Sequence, residues 1–511
     1  NPNRMTENTE RRARRIRRGR PRHIQLPKYY RTQQHGNRAR CRRRDGLLRT
    51  VVKKENCSAL QGLSPHPSLI SIATNRMPPV ASFICFATII GTYAAASLAA
   101  PCNVLDSQYA GGAKGDNKTE DTVAIVAALA ACAGGSVLLP AGRIFLVRPI
   151  ELPSHTTLLL DGDIQAWLDY KTWPNSTMRY CPITPYQSVR PVFRPKKESL
   201  LHALNSTGIA IKGGGTIHGS GENWWSLFHK DPINWHNCRP SLLELGVALA
   251  TKGGIVGKNY LNADATFSGF TLENSPWWST SFRGMRNLVI DNVRVTTPCG
   301  GYPVAPNTDG FNVGYSDGVL ITNSYVRNGD DCVPLFQVNN VTVRNITCEC
   351  GNGLTPCIWP PGSEPGKGGR TTNVLFDGAR MIKSSMGVAI KSLESFVGSA
   401  SNITWQNIVL EDVKQGVMLN VYGQSSTVNK NDNSSVRVSR FDNIRIINVS
   451  GTVQAPGKML CDGTEVCDGV TMKNVKLTVL GANKTYTCSN VFGTATDCTP
   501  QPCLAKPPPR S

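Results

Sequence analysis

NLVIDNVRV at 287–295, GVLITNSYV at 318–326 and NVTVRNITC at 340–348 repeat one pattern, in which apolar residues alternate along a short run and an Asn, Asp or Gly breaks it at a fixed place. NVLFDGARM at 373–381, NITWQNIVL at 402–410 and GVTMKNVKL at 469–477 repeat it again. Alternation rich in Val, Ile and Thr predicts strands. With the Asn of the break as marker, Asn292 to Asn323 is 31 residues, Asn323 to Asn345 is 22, and Asn448 to Asn474 is 26. Such periods predict stacked units, because one coil cannot bury its own apolar face and must lie against its neighbours. The chain therefore reads as all-β, a right-handed parallel β-helix, with Asn residues able to form ladders in the turns.

Two acidic sites fall one repeat apart. Asp309 stands in Asn307-Thr308-Asp309-Gly310 and the Asp330-Asp331 pair in Gly329-Asp330-Asp331-Cys332; Asp309 to Asp330 spans 21 residues, and so does Asp331 to Asn352 in Gly351-Asn352-Gly353. On coils of that length these positions lie above one another, about 4.8 Å apart per strand step, and form a polar column facing one groove. Carboxyls offset by one coil and pointing in different directions can stand about 6.5–9.5 Å apart, which leaves room for the water of inverting glycoside hydrolysis. Crowded carboxylates repel, so one is expected to take up a proton and act as an acid beside a base. A single Asp-Gly more often caps a turn, but two sites in register favour catalysis. Acidic residues and water suffice for this chemistry, so neither a metal nor an organic cofactor is implied.

From about residue 102 to 500 the chain resembles the polygalacturonase family of pectin-degrading glycoside hydrolases, family 28. The resemblance rests on GDNKTEDTVAI at 115–125, SVLLPAGRIFLV at 136–147, GGGTIHGSGENWW at 213–225, Arg239-Pro240 and Asn274-Ser275-Pro276-Trp277-Trp278. It rests most specifically on two of the family's four active-site segments, Asn-Thr-Asp and Asp-Asp. It implies a pectin-lyase-like solenoid whose short N-terminal helix caps the first coil. It also implies that Asp330 is the general acid, that Asp309 and Asp331 activate the attacking water, and that Asn307, Asn352, Lys391 and Tyr422 bind substrate.

The other two segments depart from the family pattern. Asn352 stands where the family has His, and Ala389 in Ala389-Ile390-Lys391 stands where it has Arg. Loss of the Arg removes a bidentate partner for a sugar carboxylate, leaving Lys391 to bind one galacturonate. Tyr422 either lines the sugar subsite or packs at the barrel edge. Losing His and Arg resembles the rhamnogalacturonan-cleaving branch, whereas keeping Asn307 resembles the galacturonan-cleaving branch. The segment CIWPPGSEPGKGGR at 357–370 lengthens its coil and reads as a rigid wall across the groove. A wall predicts exo action, with galacturonic acid removed from the non-reducing end. The alternatives are an exo- or endo-acting rhamnogalacturonan hydrolase, a Ca²⁺-dependent lyase, which would need a basic residue in place of this acidic column, and a non-catalytic pectin-binding solenoid.

Residues 1–76 carry 20 Lys or Arg against 4 Asp or Glu, which is +16 of the chain's net +21. Met77 then opens a run without charge that ends in small residues, read as a signal peptide over 77–99 rather than a membrane anchor. The basic stretch is accordingly read as no part of the mature protein, and residues 100–511 as one secreted solenoid domain. Pectic polysaccharide is the expected partner of a mildly basic monomer; nucleic acid and membrane are not. Fourteen of the 17 cysteines fall in 100–511, an even number that favours disulfides; Cys332 with Cys348 and Cys461 with Cys467 are predicted pairs, and a zinc site is not expected. Nine sequons within 100–511, at Asn117, Asn175, Asn205, Asn340, Asn345, Asn402, Asn433, Asn448 and Asn483, fit a glycosylated extracellular protein.

Overall fold

The computed structural model describes residues 100–506 apart from 183–192, 237, 247–249, 252–253, 256–261, 301–303, 359–368, 393–397 and 423–438. The basic stretch, the signal expected at 77–99, Asn433 and most of the expected wall lie outside the described residues. The chain winds into a parallel β-helix whose coils present three faces. One face stacks Leu288, Val319, Val341, Val374, Ile403 and Ile444 in register. A second stacks Val295, Val326, Cys348, Met381 and Leu410. All of these side chains are buried in one continuous core.

The third face holds the acidic column. Its strands, in chain order, are β1 (Leu243–Leu245), β2 (Thr280–Arg283), β3 (Phe311–Gly314), β4 (Val333–Phe336), β5 (Leu354–Cys357), β6 (Met386–Lys391), β7 (Ser399–Asn420) and β8 (Arg440–Leu460). Each pairs in parallel with the next. β7 and β8 run across all three faces, and their C-terminal ends complete the third.

The break that marks the repeat has a geometric cause. Asn292, Asn323, Asn345, Gly378, Asn407, Asn448 and Asn474 all have φ between 48° and 70°. The corner between the first two faces requires the left-handed conformation, which Asn tolerates best among residues with a Cβ. The expected ladders follow. Asn345 Nδ2 donates to Asn323 Oδ1 at 2.7 Å, Asn448 to Asn407 at 3.1 Å, and Asn474 to Asn448 at 3.0 Å. Each bond contributes about 1 kcal/mol, against about 1.5–3 kcal/mol for each buried Val, Leu or Ile. Apolar stacking therefore supplies most of the stability, and the ladders fix the corner geometry.

The first coil is closed by α1 (Thr122–Ala131), which buries Ala124, Ile125, Ala128 and Leu129. Only the second half of GDNKTEDTVAI forms the expected capping helix; Asp116–Glu120 is extended and pairs with Ile144–Val147. Among the described residues six disulfides form, including Cys332–Cys348 and Cys461–Cys467 as predicted. The others are Cys102–Cys132, Cys181–Cys238, Cys299–Cys350 and Cys488–Cys503. Cys357 and Cys498 stay free, so the even count did not mean complete pairing. The in-register neighbours of Cys357 are Phe336 and Lys391, neither of which can bridge to it.

In β8, Gly457 has φ +131° and lies against Val417 of β7, where an added Cβ would meet the Val417 carbonyl oxygen at 1.8 Å. Gly457→Ala should destabilise the domain by about 1–3 kcal/mol from backbone strain alone, read as a lower midpoint in chemical denaturation. An unchanged midpoint would mean the coils there are not closely stacked.

Candidate active site

The Asn-Thr-Asp-Gly turn is assembled residue by residue. Asn307 takes a left-handed φ of 57°. Thr308 turns inward, its hydroxyl donating to Ala305 O and accepting from Gly329 N, which ties this turn to the next coil. Gly310 passes so close to that coil that a Cβ would lie 2.4 Å from the Cys332 carbonyl oxygen. Gly310 N donates to Asp331 O at 2.9 Å, and Asn352 N to Asp330 O at 2.8 Å. Asn328, fully buried, donates to both Thr308 O and Asp331 O, and the Cys332–Cys348 disulfide secures the strand behind.

These contacts bring Asp309, Asp330 and Asp331 together, with carboxylate oxygens within 4.8 Å of one another. That is tighter than the 6.5–9.5 Å expected from the sequence. The coil pitch of about 4.8 Å sets the separation of side chains on adjacent coils, and these do not diverge enough to open it. Asp309 and Asp331 are buried, whereas Asp330 is partly open to solvent. Burial, reinforced by repulsion from Asp330 and Asp331, raises the Asp309 pKa well above the ordinary carboxylate range. Burial also raises Asp331, while Lys391 pulls against it.

Lys391 pairs directly with Asp331 Oδ1, and both side chains are buried. Burial alone would lower the ammonium pKa, but the facing Asp331 and Asp330 carboxylates outweigh it and hold Lys391 above its ordinary value. The residue expected to bind a sugar carboxylate is thus already occupied by a carboxylate of the protein. Three convergent oxygens could also ligate a divalent cation, but Lys391 already supplies positive charge to one of them. The Cys299, Glu349 and Cys350 grouping is ruled out as a metal site, because its cysteines are joined in a disulfide.

Asn352 Nδ2 donates to Asp330 Oδ1 at 2.9 Å, and its own carbonyl oxygen accepts from the Ser385 hydroxyl. Asn307 Nδ2 reaches Asp330 Oδ2 at 3.3 Å. Tyr422 does not join this group. Its ring packs at the edge of the core and its hydroxyl donates to Asp462 Oδ2 at 3.1 Å.

Three residues that the sequence reading gave no role shape the site. Arg239 is fully buried and donates to the carbonyls of Trp235, His236, Pro276 and Pro306 and to Asn307 Oδ1, fixing the amide that faces Asp330. The Arg239-Pro240 pair was the only sequence signal. Asn312 Nδ2 donates to Asp309 Oδ2 at 3.4 Å. The buried Cys357 thiol lies near enough to the charged cluster that burial, with Asp331 next in effect, pushes its pKa well up, leaving a neutral thiol.

A parallel β-helix presenting clustered carboxylates at a groove has the build of a polysaccharide-cleaving hydrolase. Residues 193–499 match the sequence model of "Glycosyl hydrolases family 28", and the chain belongs to that family. It is similar to the exopolygalacturonase of Zea mays, 27% identical over 409 residues, which cover 76% of this chain and 87% of that protein. It is also similar to the polygalacturonase of Persea americana, 27% identical over 391 residues, covering 74% and 75%. The crystal structure of endo-xylogalacturonan hydrolase from Aspergillus tubingensis shares the fold, with a TM-score of 0.61 at 21% identity, covering 78% of this chain and 99% of that one.

Two measurements test the charge arrangement. The raised Asp309 pKa means the folded state binds that proton more tightly than the unfolded chain does. Its contribution is therefore most favourable below the unfolded value of about 3.9 and is lost as pH rises toward the folded one. Asp309→Asn should melt at higher temperature than the parent at pH 7, with the advantage shrinking toward pH 4. An equal advantage at both pH values would contradict the shift. Lys391→Met should cost about 3–5 kcal/mol by stranding the buried Asp331 charge, and much less in an Asp331→Asn background. Additive effects in that double-mutant cycle would show that the two side chains are not coupled.

Proposed function

We propose that this hydrolase is secreted and removes galacturonic acid from the non-reducing end of pectic galacturonan, with inversion at the anomeric carbon. The observation behind this reading is the asymmetry of the three carboxylates, only one of which is open to solvent. Asp330, at the groove surface, protonates the departing glycosidic oxygen. A water held between Asp309 and Asp331 attacks the anomeric carbon from the opposite side and gives up a proton to the pair. Lys391 favours the charged form of Asp331, which makes Asp331 the proton acceptor and Asp309 its hydrogen-bonding partner.

Exo action has support independent of the 357–370 segment. An antiparallel hairpin, Asn175–Pro182 with Phe193–Lys197, leaves the solenoid and is anchored by Cys181–Cys238. Arg179 and Lys196 of this hairpin pair with Glu244 of β1. β1 lies two coils before the Asp309 coil, so the hairpin stands at the N-terminal end of the groove and suits a blocked end. Galacturonan as substrate is supported by the names of the Zea mays and Persea americana relatives. Six disulfides suit an oxidising, extracellular setting.

Digestion of saturated oligogalacturonides should release monomer from the first minutes, with little loss of polymer viscosity. Proton NMR should show the newly formed reducing sugar first as the inverted anomer. Asp330→Asn should lower turnover by about 10²–10⁴-fold, the usual worth of a general acid, without changing the melting temperature. A retained anomer, or near-parent turnover in that variant, would reject the assigned roles.

A further inference from the structure

A cavity of about 300 Å³ opens where Asn352 touches Asp330 and extends along the C-terminal ends of β6, β7 and β8. Its size is at the lower end of the range for small-molecule sites. Two lysines line it, Lys391 and Lys458. Lys391 is committed to Asp331. Lys458 is half-buried on β8, and none of the ion pairs among the described residues includes it. The two side chains stand in adjacent rows of the same face: Lys391 in register with Asn420 and Leu460, Lys458 with Met418 and Ala389.

An ammonium partly withdrawn from water and left without a counterion costs free energy, and an anionic ligand removes that cost. The remaining lining fits a sugar. Met418 and Leu460 offer apolar surface to the C–H face of a pyranose, and Asn352 and Asn420 make part of the wall polar. In the row bearing Lys458, Met418 stands one coil earlier and the buried Ala389 two coils earlier, so the cavity reaches from Lys458 past Met418 to Lys391 and Asn352 beside the carboxylate cluster.

We propose that Lys458 is the carboxylate-recognising residue of a sugar subsite on the C-terminal side of the cleavage point, and that Lys458, not Lys391, selects a uronate over a neutral sugar there. This rests on the reading of the site as a galacturonan hydrolase. The cation closest to the reaction serves the charge balance of the catalytic carboxylates, and the cation two coils further on reads the substrate. Lys458 is a specificity residue: it touches the sugar beyond the cut and leaves the reacting atoms alone.

The test compares the parent chain with Lys458→Met, which keeps the length and loses the charge, and Lys458→Arg, which restores it. With trigalacturonate, K458M should raise KM by about tenfold to a hundredfold, the worth of one hydrogen bond to a charged group, with kcat nearly unchanged. K458R should recover most of the loss. On the methyl-esterified trimer, parent and K458M should have equal KM. Equal KM on the free acid would overturn the proposal, as would an equal loss on the ester. Calorimetric titration with digalacturonate, with Asp330→Asn added to both parent and K458M to stop hydrolysis, gives a readout free of turnover. Weaker binding by K458M supports the subsite, and identical binding, or none by the parent, overturns it. A parent chain that binds digalacturonate through Lys458 yet fails to cleave trigalacturonate would reject the proposed activity and leave the subsite standing.

Discussion

The parallel stacking of coils about 4.8 Å apart constrains everything polar in this protein. Asp309, Asp331 and Asn352 occupy successive steps of one column, so their separations are inherited from the backbone and cannot relax. Side chains on such a scaffold are held on hydrogen-bonded strands packed against a continuous core, which suits a reaction that needs fixed geometry. The same rigidity forces carboxylates together. Burial and mutual repulsion then raise Asp309 and Asp331, and the fold must supply positive charge nearby to keep the cluster tolerable.

Two buried cations meet that need in different ways. Lys391 acts by direct contact, reaching from β6 to Asp331 across two coils. Arg239 acts at one remove: four of its partners are backbone carbonyls and the fifth is Asn307, whose amide then faces Asp330. Arg239 thereby shapes the turn that carries Asp309 without neutralising any carboxylate directly. A point charge suits the first task and a rigid five-donor fork the second, so exchanging Lys and Arg between the two positions would disable both. Asn352 fits the same division. It is neutral, so it orients Asp330 without adding a further titrating group to an already crowded set.

The sequence revealed those features in which a local rule repeats. The corner Asn residues were visible because each coil needs a left-handed residue at the same place, and the acidic column was visible because two motifs were separated by one coil length. Contacts across long stretches of chain were not visible. Lys391 lies 60 residues from Asp331, and Arg239 lies 68 from Asn307. No local pattern encodes either pairing, so Lys391 read as a free substrate ligand and Arg239 only as a matching residue. The carboxyl separation was overestimated for a related reason, since it depends on side-chain direction within a known pitch. Cys357 opens the segment that reads as a rigid wall, whereas its buried thiol sits close to the charged cluster.

Ladders of Asn side chains bracket the first face and limit where the chain can lengthen. The corner between the first two faces is a single left-handed residue linked to its neighbours in a ladder, and an insertion there would break bonds on both adjacent coils. The corner after the third face leads into a second ladder, in which Asn373 Nδ2 donates to Asn339 Oδ1 at 2.8 Å, Asn402 to Asn373 at 2.6 Å and Asn443 to Asn402 at 3.2 Å, and the longest connections, 359–368 after β5 and 423–438 after β7, fall just before it in sequence. At β5 the excursion starts and ends at one point, because Gly369 N donates to Ile358 O at 2.8 Å, so the coil beneath keeps its register. A stretch of any length can therefore enter between Ile358 and Gly369 while the stacking that positions Asp309, Asp330 and Asp331 stays fixed.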